Sequence, residues 1–486
     1  MGIDIGTSSV KLLCVNKKGL TIGTGQSYEV QSSHVSGQNP AVWWNAIVKA
    51  LNSIKGLVDL NRISAIGLTS QVGTYILYTP GRDEENLVTI SWKAGGGEEQ
   101  LKKLKSKFSN EYFIKHISMP HPDLISYPAP KILWFQDEMF ENLELTDKLL
   151  QPKDYIYHKL TGVFASDAYS WRGLANLEDF SFHNDFLNNL GICKEKLPLL
   201  FNPSDSPGSL LPAIAEELGI KSNISVFVGC NDFFASLIGM GVIEQGQCFD
   251  MTGTSEHIGI IVDCLDKNTA LVCGPYIKDF IHYGVTANSG TSMTWAFKTF
   301  GKEADRQICL ADVFFNDKNS PPPVFLPYMQ GERAPIWDMK ARGVFFGLES
   351  NNQESDLIYS VMEGVAFSLF HIWNKLSITA AAEIRVAGGA AFDDGLNHIK
   401  SDLFRLPFAV MREKDSAALG AAIFAGIGDR WFSSVKEAVD RWVVIDHIIQ
   451  PDGRFKDILK SRFEVYNGLY PALKDSFRQW NDYKEA

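Results

Sequence analysis

Apolar and polar positions alternate at the start of the chain. In "GIDIGTSSVKLLCV", Ile3 and Ile5 fall on one side of a strand and Asp4 on the other. The turn "GTSS" interrupts the pattern and "VKLLCV" resumes it. This predicts two paired strands, then a turn at Lys17-Lys18-Gly19 and a third strand to Val30. "PAVWWNAIVKALNSIKGL" has helical spacing, with Pro40 at its start. "RISAIGLTSQ" and "YILYT" predict buried strands. Residues 96–116 predict a solvated helical stretch, and "PAPKILWFQDEMFENL" opens another. Residues 150–225 mix short helices with loops. "NISVFVGCND" is a buried strand that stops at Asp232, and "FFASLIGMGVI" is a helix packed through small residues.

The second half repeats the plan. At 248–262, "CFDMTGTSEHIGIIV" again sets an Asp before Gly-Thr-Ser and an apolar run. A strand in "FIHYGVTANSG" and a helix in "TSMTWAFKTFG" follow. Residues 315–335 are Pro-rich and predict a shaped loop. "ESDLIYSVMEGVAFSLFHIWNKL" predicts a long helix. "EIRVAGGAAFDDGLNHIKSDLF" reads as strand, Gly-rich turn and helix, and "AALGAAIFAGIG" as a close-packed helix. The duplicated strand-turn-strand predicts two related α/β domains, 1–244 and 245–486.

Composition narrows the class. A chain of 486 residues exceeds one ordinary core. Its 45% apolar and 21% charged content fits a soluble globular enzyme. The net charge of −11, with no basic block, disfavours nucleic acid and anionic membrane as partners. The seven cysteines (Cys14, Cys193, Cys230, Cys248, Cys264, Cys273 and Cys309) are scattered and form no CxxC pair. That pattern predicts reduced thiols in a cytoplasmic protein. The first strand begins at the second residue, which leaves no room for a signal peptide, and no run approaches the ~20 apolar residues of a membrane span.

The interrupted hairpins carry the first chemical signal. A Gly-Thr-Ser turn between strands presents consecutive backbone N–H groups and hydroxyls, a cradle for phosphate oxygens. A single such turn is ordinarily only a turn; two, each after a strand Asp, suggest a duplicated device. Asp4 has the chemistry to orient a hydrated Mg²⁺, or else to cap the turn amides. Gly388 and Gly389 in "RVAGGAAFDD" allow backbone to approach a flat ring, or simply make a tight turn. Neither GxxxxGK[ST] nor a GxGxxG after a strand occurs, so a P-loop is excluded and a Rossmann site disfavoured. Asp232, at a strand end before a helix, is placed either to accept a proton from a hydroxyl or to serve as an N-cap. HExxH is absent, and His257 and His282 are read as structural. Trp43, Trp44, Trp134, Trp431 and Trp442 fall on helical stretches, where core packing is expected, whereas Trp92 ends a strand and is a pocket candidate.

In combination these segments resemble the FGGY carbohydrate kinases, closest to the xylulokinase branch, nearly end to end. "GIDIGTSSVK" and "TGTSE" look like the family's two phosphate motifs, and "QPKDYIYHKLTGVFASD" is similar to its mid-domain signature. "VGCNDFFASLIGMGVIEQGQ" resembles the segment with the catalytic Asp, which maps onto Asp232. "LPYMQGERAPIWDMKARGVFFGL", "VAGGAAFDDGLNHIKSDLF" and "FEVYNGLYPAL" also fit. The resemblance implies two actin-like, ribonuclease H-like ATPase domains around a central cleft. It implies ATP-dependent phosphorylation of a sugar or polyol hydroxyl, with Mg²⁺ positioned through water by Asp4. ATP would be held by Gly6, Thr7, Ser8, Lys11, Gly253, Thr254, Ser255, Gly290, Gly388, Gly389, Ala390 and Asn397. Asp232 would be the general base, and the acceptor would meet Gln71, Val72, Gly73, Trp92 and Asp232. A homodimer stays open.

The acceptor edge departs from the family. Xylulokinases usually carry a "GQMHG"-like stretch and a "WND.R"-like stretch. Here Gln71 and Trp92 remain, but Val72 and Gly73 replace the Met and His, and Lys93-Ala94-Gly95 replaces the acid after the Trp. Losing an imidazole removes a hydrogen-bonding partner and is expected to leave more room. Another pentulose, a hexulose or a sugar acid such as gluconate therefore competes with xylulose. An actin-like ATPase without sugar kinase activity and a non-catalytic ligand binder are the readings from other classes.

Overall fold

The structure is a computed structural model that describes residues 1–27, 39–121, 124–266, 270–300, 321–376, 378 and 381–485. Residues 28–30 of the expected third strand, Cys309 and residues 315–320 of the Pro-rich stretch lie outside the described residues. Two compact units form. The first comprises Met1–Ile243, Gly274–Tyr276 and Asp415–Val443, and the second Glu244–Cys273, Ile277–Lys414 and Val444–Ala486.

In the first unit, β1 (Gly2–Ile5), β2 (Val10–Val15), β3 (Thr21–Ser27), β4 (Ala65–Ser70) and β5 (Ser225–Asn231) lie in the order β3-β2-β1-β4-β5. β1 runs antiparallel to β2 and parallel to β4, and β4 runs parallel to β5. Ile3, Ile5, Leu12, Ile66 and Leu68 join Trp43, Ile47, Leu51 and Ile54 of the helix Pro40–Ile54 in one buried cluster. Burying such apolar surface is the main stabilising term.

The small-residue helix Ser416–Gly428 packs on the same unit through backbone contact. A Cβ at Gly2 would lie 1.9 Å from the Ala418 carbonyl oxygen, and one at Gly67 would lie 2.0 Å from that of Ala421. Gly239 and Gly420 allow the same approach between this helix and the helix Asp232–Gly239. Only glycine permits contacts this close. They explain why a helix assigned from sequence to the second half packs in the first unit.

The second unit repeats the strand plan with β6 (Cys248–Thr252), β7 (His257–Val262), β8 (Asp279–Val285), β9 (Ile384–Gly388) and β10 (Phe408–Met411), ordered β8-β7-β6-β9-β10. Again three antiparallel neighbours adjoin a parallel pair. The long helix Glu354–Trp373 contributes Val361, Met362, Val365, Phe367 and Leu369 to this unit's core.

Four details differ from expectation. Residues 96–116 form two helices, Glu98–Lys107 and Asn110–Ile117, separated where Ser109 caps the second; Leu104, Phe113 and Ile117 are buried rather than solvated. The described part of the Pro-rich stretch contains a strand, Val324–Leu326, paired with Val344–Phe346. Val272–Tyr276 is a strand that periodicity did not reveal. Trp431 follows a helix instead of lying within one, and Trp134 is only half-buried. No helix among the described residues is long and apolar enough to cross a membrane.

Candidate active site

In the first unit the interrupted hairpin forms a closed turn, with the Gly6 amide donating to the Ser9 carbonyl at 3.0 Å. Asp4 sits on β1 between Lys11 of β2 and Thr69 of β4. Its carboxylate is buried, and Oδ1 has no hydrogen-bond donor among the described residues. Thus no turn amide caps it. Burial raises its pKa to about 6, against the opposing pull of the Lys11 charge. Lys11 itself pairs with Asp415 at 2.7 Å.

Asp232 begins the helix Asp232–Gly239, yet the N-cap role belongs to Asn231, whose side chain accepts from Phe234 N–H at 3.1 Å. This favours the proton-acceptor alternative for Asp232. Its carboxylate accepts from the Phe233 amide at 2.8 Å. Burial, and then repulsion from Asp4, push its pKa up to about 7 despite that amide. A base poised near neutrality suits proton abstraction from a hydroxyl.

The candidate acceptor edge adjoins the same turn. Trp92 Nε1–H donates to Thr7 Oγ1 at 3.1 Å, and the Thr7 hydroxyl donates to Gln71 Oε1 at 2.9 Å. Gly73 adopts φ +79°. A Cβ there would lie 3.0 Å from the Ser126 carbonyl oxygen and 3.3 Å from Trp92 Cβ. The room expected from the missing imidazole is therefore already filled by Ser126 and Trp92. Val72 is half-buried.

In the second unit the matching turn carries Gly253, Thr254 and Ser255. The Gly290 amide donates to the Gly253 carbonyl at 3.0 Å, which ties the turn to the helix Gly290–Phe300. The Thr254 side chain is exposed and its hydroxyl has no partner among the described residues. At the Gly-rich turn, Thr252 accepts from Gly389 N–H through its carbonyl (3.3 Å) and from Ala390 N–H through Oγ1 (2.9 Å). Gly388 has φ +105°, while Gly389 opens onto free space. Asn397 is fully buried and donates to the Ala391 carbonyl at 2.7 Å. It braces the turn from below.

Sequence reasoning missed several supporting groups. Lys400 is fully buried between Asp250 and Glu256, 2.7 Å from the former. Lys153 is likewise buried, 2.8 Å from both Asp154 and Asp167. Gln151 accepts from Gly73 N–H at 3.2 Å. Lys131 is buried against three backbone carbonyls. A Lys beside apolar residues in a predicted strand or helix was the available signal, but spacing alone did not name its partners.

Two sheets that share a five-strand core order, each with a Gly-Thr turn at the tip of its first hairpin, define an actin-like ATPase fold. The chain belongs to the FGGY family of carbohydrate kinases: the family's N-terminal domain matches residues 1–239 and its C-terminal domain residues 251–428. It is 26% identical to the xylulose kinase of Staphylococcus xylosus, over 97% of this chain and 99% of that one. To the gluconokinase of Bacillus subtilis (strain 168) it is also 26% identical, over 87% and 86%. Its structure resembles the ligand-bound xylulose kinase of Lactobacillus acidophilus, with a TM-score of 0.85, 25% identity and 99% of both chains covered. The gluconate kinase of the same organism gives a TM-score of 0.84 at 25% identity, again over 99% of both. The protein is thus an ATP-dependent sugar kinase, an enzyme class that uses Mg²⁺. The donor set suits that ion: Asp4 offers a buried carboxylate oxygen with no competing donor among the described residues.

Proposed function

We propose that the enzyme transfers the terminal phosphoryl group of ATP to a hydroxyl of a small open-chain sugar or polyol, with Asp232 as general base. The observation that carries this reading is the division of labour at 231–232. Asn231 caps the helix, which leaves the Asp232 carboxylate for chemistry with a pKa of about 7. Ionised Asp232 takes the acceptor's proton as its oxygen attacks phosphorus. Gly6, Thr7, Ser8, Gly253, Thr254 and Ser255 supply backbone N–H donors to phosphate oxygens, Ser8, Thr254 and Ser255 add hydroxyls, and Lys11 adds positive charge. Gly388, Gly389 and Ala390 form the adenosine platform, with Gly290 and Asn397 in support. Asp4 would hold Mg²⁺ through water, and the ion's charge would offset that on the phosphates.

Gln71, Val72, Gly73 and Trp92 form the acceptor edge. Xylulose is the first candidate. A sugar acid such as gluconate is the second, favoured by the almost equal likeness to the gluconate kinase fold. Along the chain the domains are taken as 1–244 and 245–486, with Asp415–Val443 of the second half packed in the first unit, the sugar side in the first and the nucleotide side in the second. We place the enzyme in the cytoplasm, without nucleic-acid partners, and leave a homodimer as its open assembly. The test is ADP release with ATP and Mg²⁺ over a panel of ketoses, polyols and sugar acids. Acceptor-stimulated release supports the reading. Turnover indifferent to every acceptor would replace it with an actin-like ATPase, and equilibrium binding without turnover with a ligand-binding protein.

A further inference from the structure

The loop Ser91–Gly97 carries Trp92 and departs most from the family pattern, yet one side chain holds it firmly. Lys131, on the helix Pro128–Glu138, has no exposed surface. Its ammonium donates to the carbonyls of Ala94 (3.1 Å), Gly95 (3.2 Å) and Gly96 (2.9 Å). Three consecutive carbonyls thus use all three of its N–H donors, with no carboxylate in contact among the described residues. The ammonium also lies 5.0 Å from the Trp134 ring centroid. Gly96 takes φ +88°, and a Cβ there would lie 2.4 Å from Trp134, so the glycines let the loop fold down onto the helix. A buried charge is costly without good partners, so an ammonium retained here points to a task that an apolar residue would not perform.

Resting on the kinase reading above, we propose that Lys131 is a positioning residue for phosphoryl transfer: by gathering the carbonyls of residues 94–96 it fixes the loop so that Trp92 meets the acceptor and holds the Thr7 hydroxyl. Two anchors at the loop start agree with this. Trp92 N–H donates to Thr74 Oγ1 (3.3 Å) and Lys93 N–H to Ser91 Oγ (3.2 Å). From Trp92 the hydrogen bonds run to Thr7 and Gln71. The fixed loop therefore connects the acceptor edge to the first phosphate turn. Burial lowers the Lys131 pKa to about 8, and Glu98 opposes the shift. Of the other charges near these helices, Asp137 is engaged by Gln100 and Lys103, and Lys93 is exposed over the Trp92 ring. Above that pH a neutral amine keeps two donors for three carbonyls, and the clamp slackens.

The experiment compares wild type, Lys131→Met, Trp92→Phe and the double variant, after wild type has shown acceptor-stimulated ADP release. Lys131→Met is expected to raise the acceptor KM about tenfold, the scale of a lost charge-assisted hydrogen bond, while the ATP KM stays within twofold. The double variant should be no worse than the poorer single variant, because Lys131 acts through Trp92. The wild-type acceptor KM should climb above pH 8, and Trp92→Phe should lose that climb. Amide exchange at 93–97, independent of turnover, should quicken in Lys131→Met with global melting retained. Should that variant not fold, the wild-type and Trp92→Phe pH profiles decide. An unchanged acceptor KM in Lys131→Met, additive losses in the double variant, or a pH limb that survives Trp92→Phe each overturns the proposal. Wild type without acceptor-stimulated turnover would instead overturn the kinase reading, and amide exchange would still report on the clamp.

Discussion

Asp232 and Asp4 carry charge that the fold disfavours, and the sign of that cost can be tested. A base works only when ionised, so kcat/KM for the acceptor should rise with pH with a midpoint near 7. Asp4 is the second cause of that raised value. Asp4→Asn should therefore move the midpoint toward acid, read from pH profiles at saturating ATP; an unmoved midpoint would separate the two carboxylates. Asp232→Asn should lower kcat by about 10²–10⁴ with little change in ATP affinity, and near-normal turnover would remove Asp232 from the role. Stability should change in the other direction. The folded pKa lies above the ordinary carboxylate value, so the group's contribution is complete below about pH 4 and is lost as pH rises through about 7. Asp232→Asn should accordingly melt above wild type at pH 8, with the gap closing near pH 4, as measured by calorimetry.

The turns assign neighbouring glycines different duties. Gly388 needs its positive φ, and a Cβ there would lie 2.0 Å from the Thr252 carbonyl oxygen, so Gly388→Ala should lower folding stability in a denaturant titration. Gly389 has no protein atom within reach of a Cβ. Gly389→Val should fold normally and raise the KM for ATP selectively; a shift in the acceptor KM instead would misplace the adenosine platform. Thr254→Val removes an exposed hydroxyl from the second turn. A donor to a charged group is worth roughly 1.5–3 kcal/mol, so kcat/KM for ATP should fall at least about tenfold while acceptor binding persists. Unchanged ATP kinetics would reduce "GTS" to a turn. Both hairpins and the Gly-rich turn were legible in the sequence because alternation and turn chemistry are local signals. The partition of Ser416–Gly428 was not, since glycine-mediated contact with Gly2 and Gly67 joins residues hundreds of positions apart. The buried lysines escaped for the same reason: a lysine's charge says nothing of which distant carboxylate or carbonyl will satisfy it.

At the scale of the whole enzyme the open question is which acceptor it serves, and the edge geometry argues for a choice unlike that of xylulokinases. Gly73 cannot regain a side chain cheaply, because its positive φ and the contacts with Ser126 and Trp92 reserve that position for glycine. Histidine there is thus incompatible with this loop arrangement, and the imidazole's donor and acceptor are lost without any gain in space. On the proposed assignment Gln71, Trp92 and Asp232 remain at the acceptor edge, with Thr7 linking the first two. A site that hydrogen-bonds a substrate hydroxyl can discriminate by about 10⁴ or more, so a missing partner should redirect preference toward an acceptor that does not rely on it. D-xylulose should be accepted without being the best substrate, and another pentulose, a hexulose or a sugar acid should equal or exceed it in kcat/KM. Ranking that panel at fixed ATP and Mg²⁺ decides the matter. A tenfold or greater lead for D-xylulose would show that Val72 and Gly73 do not set the specificity, and would return the acceptor edge to Gln71, Trp92 and Asp232 alone.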